Sequence, residues 1–409
     1  MKYAIIGAGV SGLTVANLLK EGHDVKVFEK EKTPGGLIRC EKVEESLFHR
    51  CGGHVFNSRR QDVLDWFWGH FDREQEFIKA DRNSVVFMPG GEEIPYPIEN
   101  HIYGFPAEVQ RKIIHDWLHL GGQPGNFEEF LQGRFGQTLY EMYFRPYNEK
   151  VWRRNLRSVS LSWLEGKLPM PTVEEMVFNN INQVKEKQFV HATFWYENTG
   201  GSQLIADRLS EGLTIRYENP VEMLKREKDG WLVLGEMFDR VVFCGNIKDL
   251  PPMLQGVETK GFANEIEQLE FHGTTTVFCE IAKNPYSWIY LPDSSYDAHR
   301  IICTGNFSPR NNAEGKMTAT VEFTDYISEE DIRDHLKRIP LVRKYITHRY
   351  HRYTYPIQDH QTREMIKSFK AEMAAEGLYL TGRFADWEYY NMDVAMGAAM
   401  DLCTNNALF

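Results

Sequence analysis

Three glycines near the N-terminus have the spacing of a turn that cradles phosphate groups. Gly7, Gly9 and Gly12 follow a short apolar run that starts at Lys2, and they precede a segment with helical periodicity. In such a turn the first glycine permits the tight bend, the second lets the backbone approach a pyrophosphate, and the third lets the helix pack on the strand. The helix N-terminus then points its free N–H groups and positive dipole end at the phosphates.

An acidic residue completes this pattern. Glu29 closes the alternating segment that begins at Asp24 and lies about twenty positions after Gly7, where a carboxylate accepts hydrogen bonds from ribose hydroxyls. The glycines alone would be a weak signal. Together with Glu29 they predict a strand, turn, helix and strand that bind a dinucleotide.

The residues that follow indicate FAD rather than NAD. Lys30, the run Pro34-Gly35-Gly36 and Arg39 resemble the glutathione-reductase-type FAD proteins, which include the amine oxidase superfamily. This resemblance implies that Gly36 lets the chain pass close to the flavin and that Arg39 lies beside it. The other interpretation of Arg39 is a solvated surface charge.

Two distant segments resemble the remaining parts of such an FAD site. Val221 begins an apolar strand and would offer its backbone to the adenine, although an ordinary core valine explains it as well. Gly382 ends a strand just before the last helix, whose N-terminus would stabilise negative charge on reduced flavin. The expected FAD contacts are Gly7, Gly9, Ser11, Gly12, Glu29, Lys30, Gly36, Arg39, His54, Val221, Gly382, Arg383, Asn391 and Met392.

Six segments in order resemble the UDP-galactopyranose mutase family, and the resemblance covers nearly the whole chain. Any one of them alone would not be specific, but the set is. The segments are Gly52 to Phe56, Ile94 to Pro97, Arg145 to Trp152, Trp288 to Tyr290 with Arg300 to Ile302, Tyr355-Pro356, and Gly382 to Met392.

The resemblance implies a flavin-dependent mutase that interconverts the pyranose and furanose forms of a nucleotide sugar, UDP-galactose or a close relative. The family reaction is redox-neutral but needs reduced FAD, whose N5 acts as the nucleophile at the anomeric carbon. The protein must hold the diphosphate, orient the sugar and exclude water. The expected partners are the nucleotide sugar and a reductant, NAD(P)H or another.

The same resemblance assigns catalytic roles to Arg300, His54, Tyr355 and Tyr389. Arg300 would pair with the diphosphate because its planar fork of donors matches phosphate oxygens. Tyr355 and Tyr389 would donate phenolic hydrogen bonds to phosphate, and His54 would contact the flavin. The expected substrate contacts are Tyr96, Tyr147, Asn148, Trp152, Trp288, Tyr290, Arg300, Tyr355 and Tyr389. For Tyr147, Asn148 and Trp152, helix packing or a surface amide is an equally good interpretation.

Three positions depart from the family pattern. Trp195 stands where we expect an arginine that reaches toward the diphosphate, and Arg153 or Arg154 could compensate for it. Glu99 replaces a neutral amide, and Asn391 replaces an aspartate of bacterial members. These departures leave open a dTDP-hexose, UDP-N-acetylgalactosamine or a pentose nucleotide as substrate.

Two other functions are compatible with the same N-terminal nucleotide-binding motif. One is an FAD-dependent amine oxidase or protoporphyrinogen-oxidase-like oxidoreductase, against which the phosphate-directed Arg300 and the tyrosines argue. The other is a non-catalytic flavoprotein that binds a nucleotide sugar, which the missing arginine would explain.

Composition narrows the class further. The chain has 409 residues and a net charge of −11, a poor basis for binding nucleic acid. Its six cysteines form no C-x-x-C pair, so no metal site is expected. No run of ~18 apolar residues occurs, so we expect no membrane span and a cytoplasmic location. A helical segment rich in aromatics could pair with a second subunit, so a homo-oligomer is open.

The pattern predicts an α/β fold: a Rossmann-type FAD-binding domain, a helical insertion and an antiparallel β-sheet substrate domain. Helical spacing runs from Val109 to Lys187, and Leu213 to Glu236 reads as a hairpin around Gly230. We expect the FAD-binding domain at 1–75, 202–260 and 366–409, the helical domain at 100–190, and the sheet domain at 76–99, 191–201 and 261–365.

Overall fold

The computed structural model describes residues 1–122, 124–159, 161, 171–184, 192–259, 261–406 and 408. The parts of the predicted helical insertion at 123, 160, 162–170 and 185–190 lie outside the described residues.

The strands fall into two larger and three smaller sheets. In chain order they are β1 (Lys2–Ile6), β2 (Asp24–Phe28), β3 (Cys40–Val43), β4 (Ser46–His49), β5 (Phe77–Asp81), β6 (Ser84–Phe87), β7 (Glu93–Pro95), β8 (Thr193–Glu197), β9 (Thr214–Arg216), β10 (Leu224–Glu227), β11 (Gly230–Val233), β12 (Glu236–Phe238), β13 (Arg240–Phe243), β14 (Leu254–Gln255), β15 (Phe271–Ile281), β16 (Trp288–Tyr290), β17 (Arg300–Ile302), β18 (Thr318–Thr324), β19 (Val342–Pro356) and β20 (Leu378–Leu380).

The helices are mostly short. They are α1 (Val10–Leu19), α2 (Gln61–Trp68), α3 (Arg73–Glu76), α4 (Ala107–Trp117), α5 (Phe127–Phe135), α6 (Gln137–Leu139), α7 (Arg145–Trp152), α8 (Val173–Asn182), α9 (Ser202–Ser210), α10 (Leu250–Met253), α11 (Phe262–Glu267), α12 (Glu329–Leu336), α13 (His360–Ala375) and α14 (Met392–Asn405).

A parallel sheet with the order β20-β13-β1-β2-β9 holds the N-terminal motif. Its central strand is buried on both faces, because Ala4 and Ile5 are fully buried in two different hydrophobic clusters. Helices α1 and α14 pack against each other beside the sheet. This arrangement confirms the predicted Rossmann-type unit, since strands buried on both faces read as continuous apolar runs.

The glycine turn has the geometry that its sequence predicts. Gly7 has φ of +104°, which favours glycine. A Cβ on Gly12 would lie 2.0 Å from the carbonyl oxygen of Gly7, so only glycine lets α1 start this close to β1. The turn is therefore set by steric contact within the motif.

The second large sheet has the order β19-β15-β18-β17-β16-β6-β7. Its pairs are antiparallel except β16 and β6, which run parallel, so the predicted antiparallel sheet is in fact mixed. Side chains alternate along a strand. Ile301 therefore packs with Ile332 of α12 on one face, while Ile302 packs against the aromatic core of the helical region on the other.

The described part of the insertion is helical, as predicted, and runs from α4 to α8 with a π-helix at Tyr140–Phe144. The predicted hairpin is narrower than expected. Only β10 and β11 form it, whereas β9 joins the parallel sheet beside β2. The parallel sheet thus draws on three separated parts of the chain, and the domain boundaries stay a prediction.

The steric contact at the glycine turn predicts the effect of one methyl group. We expect Gly12→Ala to lower the free energy of unfolding by at least about 1–3 kcal/mol, because its Cβ must displace the backbone of the turn. Chemical denaturation followed by circular dichroism measures this. Gly22→Ala is the matched control, since a Cβ there meets nothing within 4 Å. Equal stability of the two variants would contradict the steric account.

Candidate functional site

At the nucleotide end, Glu29 is fixed beside the glycine turn. Its Oε2 accepts a hydrogen bond from the backbone N of Ala8 at 2.7 Å, and its Oε1 accepts one from the N of Glu31 at 2.9 Å. A Cβ on Gly36 would lie 3.3 Å from Cα of Gly9, so the two glycine segments approach closely. The neighbouring Lys30 is exposed.

Arg39 is not a solvated surface charge. Its side chain is 11% exposed, pairs with Glu31 at 3.2 Å, and donates through Nε to the carbonyl of Gly36 at 3.0 Å. The expected adenine contact, Val221, is partly buried against the cluster that contains Trp231.

The C-terminal signature packs on the same end of the sheet. A Cβ on Gly382, whose φ is +116°, would lie 3.1 Å from Oγ of Ser11. The buried carboxylate of Asp386 accepts from the N of Gly382 at 2.9 Å and pairs with Lys370. Asn391 is the N-cap residue of α14 and Met392 its first residue.

Two buried nitrogens at this place have no hydrogen-bond partner in the structure, Nε of Arg383 and Nε2 of His54. Buried polar atoms are rarely left unpaired. The close glycine approaches and these two unpaired nitrogens are compatible with a bound dinucleotide.

Two glycines place His54. Gly52 has φ of +69°, and a Cβ on Gly53 would lie 2.6 Å from Cγ2 of Ile302, so the loop fits against β17 only without side chains. Burial, with smaller contributions from the charges of Arg383 and Arg300, lowers the pKa of His54 to about 4. The imidazole is therefore neutral at pH 7.

Arg300 is held by a buried carboxylate. Its Nε donates to Oε2 of Glu322 at 2.5 Å, and Glu322 is fully buried. Its Nη2 donates to the phenolic oxygen of Tyr355 at 2.9 Å. Within the described part of the chain, Arg300 makes its side-chain hydrogen bonds through Nε and Nη2, which leaves Nη1 of the fork for a ligand.

Aromatic stacking extends this set from Tyr355 to Tyr389 and Arg383. The rings of Tyr355 and Tyr389 are parallel within 6°, with centroids 5.4 Å apart. The guanidinium carbon of Arg383 lies 4.2 Å from the ring centroid of Tyr389. Burial raises the pKa of Tyr355 well above 10, so its hydroxyl stays protonated. The sequence-predicted residues Arg300, Tyr355, Tyr389 and Arg383 therefore form one contiguous group.

Other expected substrate tyrosines form a second group. Tyr290 lies 4.7 Å from Tyr96 and 5.6 Å from Tyr147 between ring centroids. Arg82 donates to the hydroxyl of Tyr290 at 2.6 Å and its guanidinium carbon lies 4.8 Å from the ring centroid of Trp288. Burial raises the pKa of Tyr147, which the charge of Arg300 partly opposes.

Two expected contacts on α7 have local partners. The amide of Asn148 donates to the carbonyl of Phe144, the N-cap residue of α7, at 2.7 Å. Trp152 is buried, packs 6.2 Å from Phe127 between ring centroids, and its carbonyl contacts His272.

The residue that departs from the family pattern at position 195, and the two arginines offered as compensation, contact other side chains of this chain. Trp195 lies between the cations of Arg73 and Lys79, with 5.4 Å and 5.7 Å to its ring. The two arginines offered as compensation are both engaged by carboxylates: Arg154 pairs with Glu270 at 2.9 Å, and Arg153 lies 3.6 Å from Asp297.

Burial raises the pKa of Glu99 to about 7, so at neutral pH this carboxyl is only partly charged. The side chain that replaces a neutral amide is therefore itself close to neutral. This reduces the chemical difference between Glu99 and the amide of the family pattern.

Sequence reasoning missed Glu322 and Lys150. Glu322 is the sole acid in the otherwise apolar and threonine-rich strand β18, a signal that could have found it. Lys150 is 7% exposed, and its Nζ donates to the carbonyls of Leu291, Asp293 and Ala298. It ties α7, which carries Tyr147, to the loop before Arg300.

His49 was also missed. It is fully buried, its Nε2 lies 2.9 Å from the hydroxyl of Tyr196, and its Nδ1 accepts from the N of His54 at 3.3 Å. Burial and the nearby His54 lower its pKa to about 3. A neutral histidine pair therefore supports the loop that ends in His54.

Comparison with known proteins agrees with this geometry. Residues 5–71 match the family described as NAD(P)-binding Rossmann-like domain. The chain is 21% identical over 413 residues to the UDP-galactopyranose mutase of Mycoplasma genitalium, covering 96% of this chain and 91% of that protein. It is 33% identical to the Mycoplasma pneumoniae UDP-galactopyranose mutase, covering 61% and 62%. It is 28% identical to the dTDP-fucopyranose mutase of Escherichia coli, covering 41% of this chain but only 46% of that relative.

Solved structures share the fold. A reduced UDP-galactopyranose mutase superposes with a TM-score of 0.87 at 22% identity, covering 100% of this chain and 96% of the other. Putrescine oxidase bound to putrescine reaches 0.63 at 13% identity, with full coverage of both chains.

The fold and the site define a flavin-type dinucleotide-binding protein with a parallel sheet, a mixed sheet and a helical region. Within that class, the chain is similar over nearly its whole length to UDP-galactopyranose mutases and over part of its length to a dTDP-fucopyranose mutase. In the part of the chain that the structure describes, no helix is long and apolar enough to cross a membrane, and no cluster of potential ligands could hold a metal.

The buried pair of Arg300 and Glu322 predicts the cost of removing one partner. We expect Glu322→Gln to lower the free energy of unfolding by at most about 3–5 kcal/mol, because Arg300, 19% exposed, would keep its charge without a counter-ion. Urea denaturation measures this. Glu329→Gln removes an exposed carboxylate that pairs with Arg333 and should change little. A loss no larger than that of the control would contradict the buried pairing.

The depressed pKa of His49 predicts a pH dependence. The folded value, about 3, lies below the unfolded value of ~6.5, so the unfolded chain takes up the proton first as pH falls. Stability is therefore lost between pH ~6.5 and ~3, by about 2 kcal/mol at pH 5 relative to pH 7.5. His49→Gln should reduce the pH dependence of the unfolding free energy by that amount. His360→Gln, at an exposed position, is the control, and an equal reduction there would argue against His49.

Proposed function

We propose that this chain is a flavin-dependent mutase that interconverts the pyranose and furanose forms of a nucleotide sugar, UDP-galactose or a close relative, with reduced FAD. One observation carries the proposal: Glu322, Arg300 and Tyr355 form a hydrogen-bonded set that continues by stacking to Tyr389 and Arg383. Two guanidinium groups and two phenols in one contiguous group suit a diphosphate beside a cofactor.

The residues of this group can hold an anion without a large reorganisation. Glu322 fixes Arg300 through Nε and neutralises part of its charge, while the rest of the fork remains for phosphate oxygens. The phenol of Tyr355 accepts from Arg300, so its own proton can be donated to the ligand. Because the pKa of Tyr355 is raised, this donor persists at neutral pH.

FAD is the cofactor that the nucleotide end supports best. Gly9 and Gly36 approach closely, Glu29 is placed for a ribose, and the unpaired nitrogens of His54 and Arg383 suit a flavin ring. When bound, reduced FAD supplies a nucleophile, its N5, to the anomeric carbon of the sugar. The neutral His54 can hydrogen-bond a ring atom without adding charge.

The tyrosines around Tyr290 would line the part of the pocket that holds the sugar. Tyr96 and Tyr147 contact Tyr290 from two sides, and Lys150 holds α7 against the loop that leads to Arg300. Orientation of the sugar and exclusion of water are the contributions expected of such a wall. The flavin would be reduced by NAD(P)H or another reductant. We also propose the division into an FAD-binding domain, a helical domain and a sheet domain.

The relatives leave two nucleotides to compare. The similar proteins are named for UDP-galactopyranose and for dTDP-fucopyranose. The residues proposed to hold the diphosphate do not distinguish uracil from thymine. Both UDP- and dTDP-sugars should therefore be assayed.

An amine-oxidising flavoprotein is the second candidate, because the putrescine oxidase fold superposes on the whole chain. The charge of the site disfavours it. Arg300 and Arg383 would repel an ammonium substrate, whereas they attract a diphosphate. A protein that binds UDP tightly without converting its sugar would instead support the non-catalytic alternative.

The test is anaerobic turnover of the dithionite-reduced protein with UDP-galactopyranose or dTDP-fucopyranose, resolved by HPLC. We expect furanose product, no net oxidation of substrate, and no turnover by the oxidised protein. Arg300→Ala should lower kcat/KM by about 100-fold or more, because it removes a charge-assisted phosphate contact.

Arg333→Ala is the matched control, since that exposed arginine pairs with Glu329. Peroxide release with an amine would favour the oxidase. No furanose from either nucleotide sugar, with bound FAD, would falsify the mutase proposal.

A further inference from the structure

One guanidinium in the second group of tyrosines has no counter-ion. Arg82, just before β6, donates from Nε to Oγ of Ser84 at 2.8 Å and from Nη2 to the hydroxyl of Tyr290 at 2.6 Å. In the part of the chain that the structure describes, Arg82 pairs with no carboxylate and its Nη1 makes no hydrogen bond. Arg82 is partly exposed and Nη1 is not enclosed by the protein, so a ligand can reach this nitrogen.

The register of the mixed sheet places Arg82 near Arg300. Tyr290 on β16 lies directly opposite Arg300 on β17. Side chains at such paired positions share one face of a sheet, with Cβ atoms ~4.5–5.5 Å apart. Trp288, two residues before Tyr290, shares this face, and the guanidinium carbon of Arg82 lies 4.8 Å from its ring centroid. Arg82 and Arg300 therefore both lie beside Tyr290.

Each of these two arginines is paired with a phenol. Arg300 donates to the hydroxyl of Tyr355, and Arg82 donates to the hydroxyl of Tyr290. Since each phenolic oxygen accepts from a guanidinium, its own proton remains for a ligand. Two guanidinium groups and two phenolic donors suit an anion with several oxygens, such as a diphosphate, better than a single carboxylate.

The side chain at position 195 does not face this group. Successive side chains of a strand point to opposite sides. On β8, Phe194 and Tyr196 pack in the same aromatic core as Trp288 and Tyr290, whereas Trp195 packs against the core of the N-terminal unit. An arginine at position 195 would therefore point away from the aromatic core in this structure, while the arginine at position 82 points toward it.

We infer that Arg82 binds the diphosphate of the nucleotide sugar and supplies the positive charge that Trp195 leaves out. This inference rests on the proposed function. Arg153 and Arg154 are engaged by carboxylates, whereas Arg82 is held only by neutral groups. Because Nε and Nη2 already fix the guanidinium, little side-chain entropy is lost when Nη1 meets a phosphate oxygen. A phosphate of the reductant offers the same chemistry, and the experiment separates the two sources.

The test is isothermal titration calorimetry of the full chain with its cofactor, with UDP and dTDP as probes. We expect Arg82→Met to weaken the tighter of the two by about ten-fold or more, because a charge-assisted hydrogen bond is removed. Affinity for uridine or thymidine should not change, since these nucleosides carry no phosphate. Arg82→Lys should lose less affinity than Arg82→Met, because the charge is kept without the planar fork. Added salt should reduce the difference between wild type and Arg82→Met.

Arg226→Met is the matched control, since Arg226 also lies over a tryptophan, 5.9 Å from the ring centroid of Trp231, but in another sheet. It should bind the nucleotides like the wild type. The inference is overturned if the wild type binds neither UDP nor dTDP, or if Arg82→Met binds them normally. It is also overturned if nucleoside affinity falls equally, because the site would then be distorted, or if only NAD(P)H affinity falls.

This inference and the proposed reaction can fail separately. Nucleotide binding is measured without turnover, so a selective loss of UDP or dTDP affinity in Arg82→Met supports the role of Arg82 even if no furanose forms. Conversely, furanose production by the wild type together with normal nucleotide affinity in Arg82→Met would overturn the role of Arg82 alone.

Discussion

The fully buried carboxylate of Glu322 is the interaction on which the candidate site depends. It accepts a hydrogen bond from Nε of Arg300 within the sheet and one from the N of Gly52, at 2.8 Å, in the loop that leads to His54. A buried charge is tolerated only when it is paired and hydrogen-bonded. The position of the arginine and the position of the loop are therefore coupled through one side chain, and Tyr355 follows because Arg300 also donates to it.

Burial and ion pairing also decide which groups of the site are charged. The chain carries a net charge of −11, yet Arg300 and Arg383 converge on the stacked rings of Tyr355 and Tyr389. Burial and these cations keep His54 neutral, and burial keeps the phenol of Tyr355 protonated. The neighbouring groups thus donate hydrogen bonds without adding negative charge.

Much of the fold could be predicted because its signals are local. Short segments of sequence suffice to predict the glycine turn, Glu29 and the apolar strands. These features depend on backbone φ angles, on steric contacts within the motif and on the periodicity of apolar residues. The parallel pairing of β16 with β6 and the placement of β9 beside β2 were missed, since strand partners depend on contacts between distant segments. Arg300, Tyr355, Tyr389 and Arg383 were found through family resemblance, whereas Glu322, His49 and Lys150 carry no motif and were not.

By itself, the sequence determined the glycine turn at the N-terminus, because only glycine tolerates those backbone positions and contacts. Only the tertiary structure decided which charges are paired and which polar atoms are not. Glu322 and Gly52 are 270 residues apart, and the unpaired amide of Gln358 is recognisable only once its surroundings are known. The physical reason is that the cost of a buried polar group depends on every neighbour that folding brings to it, and no local pattern records those neighbours.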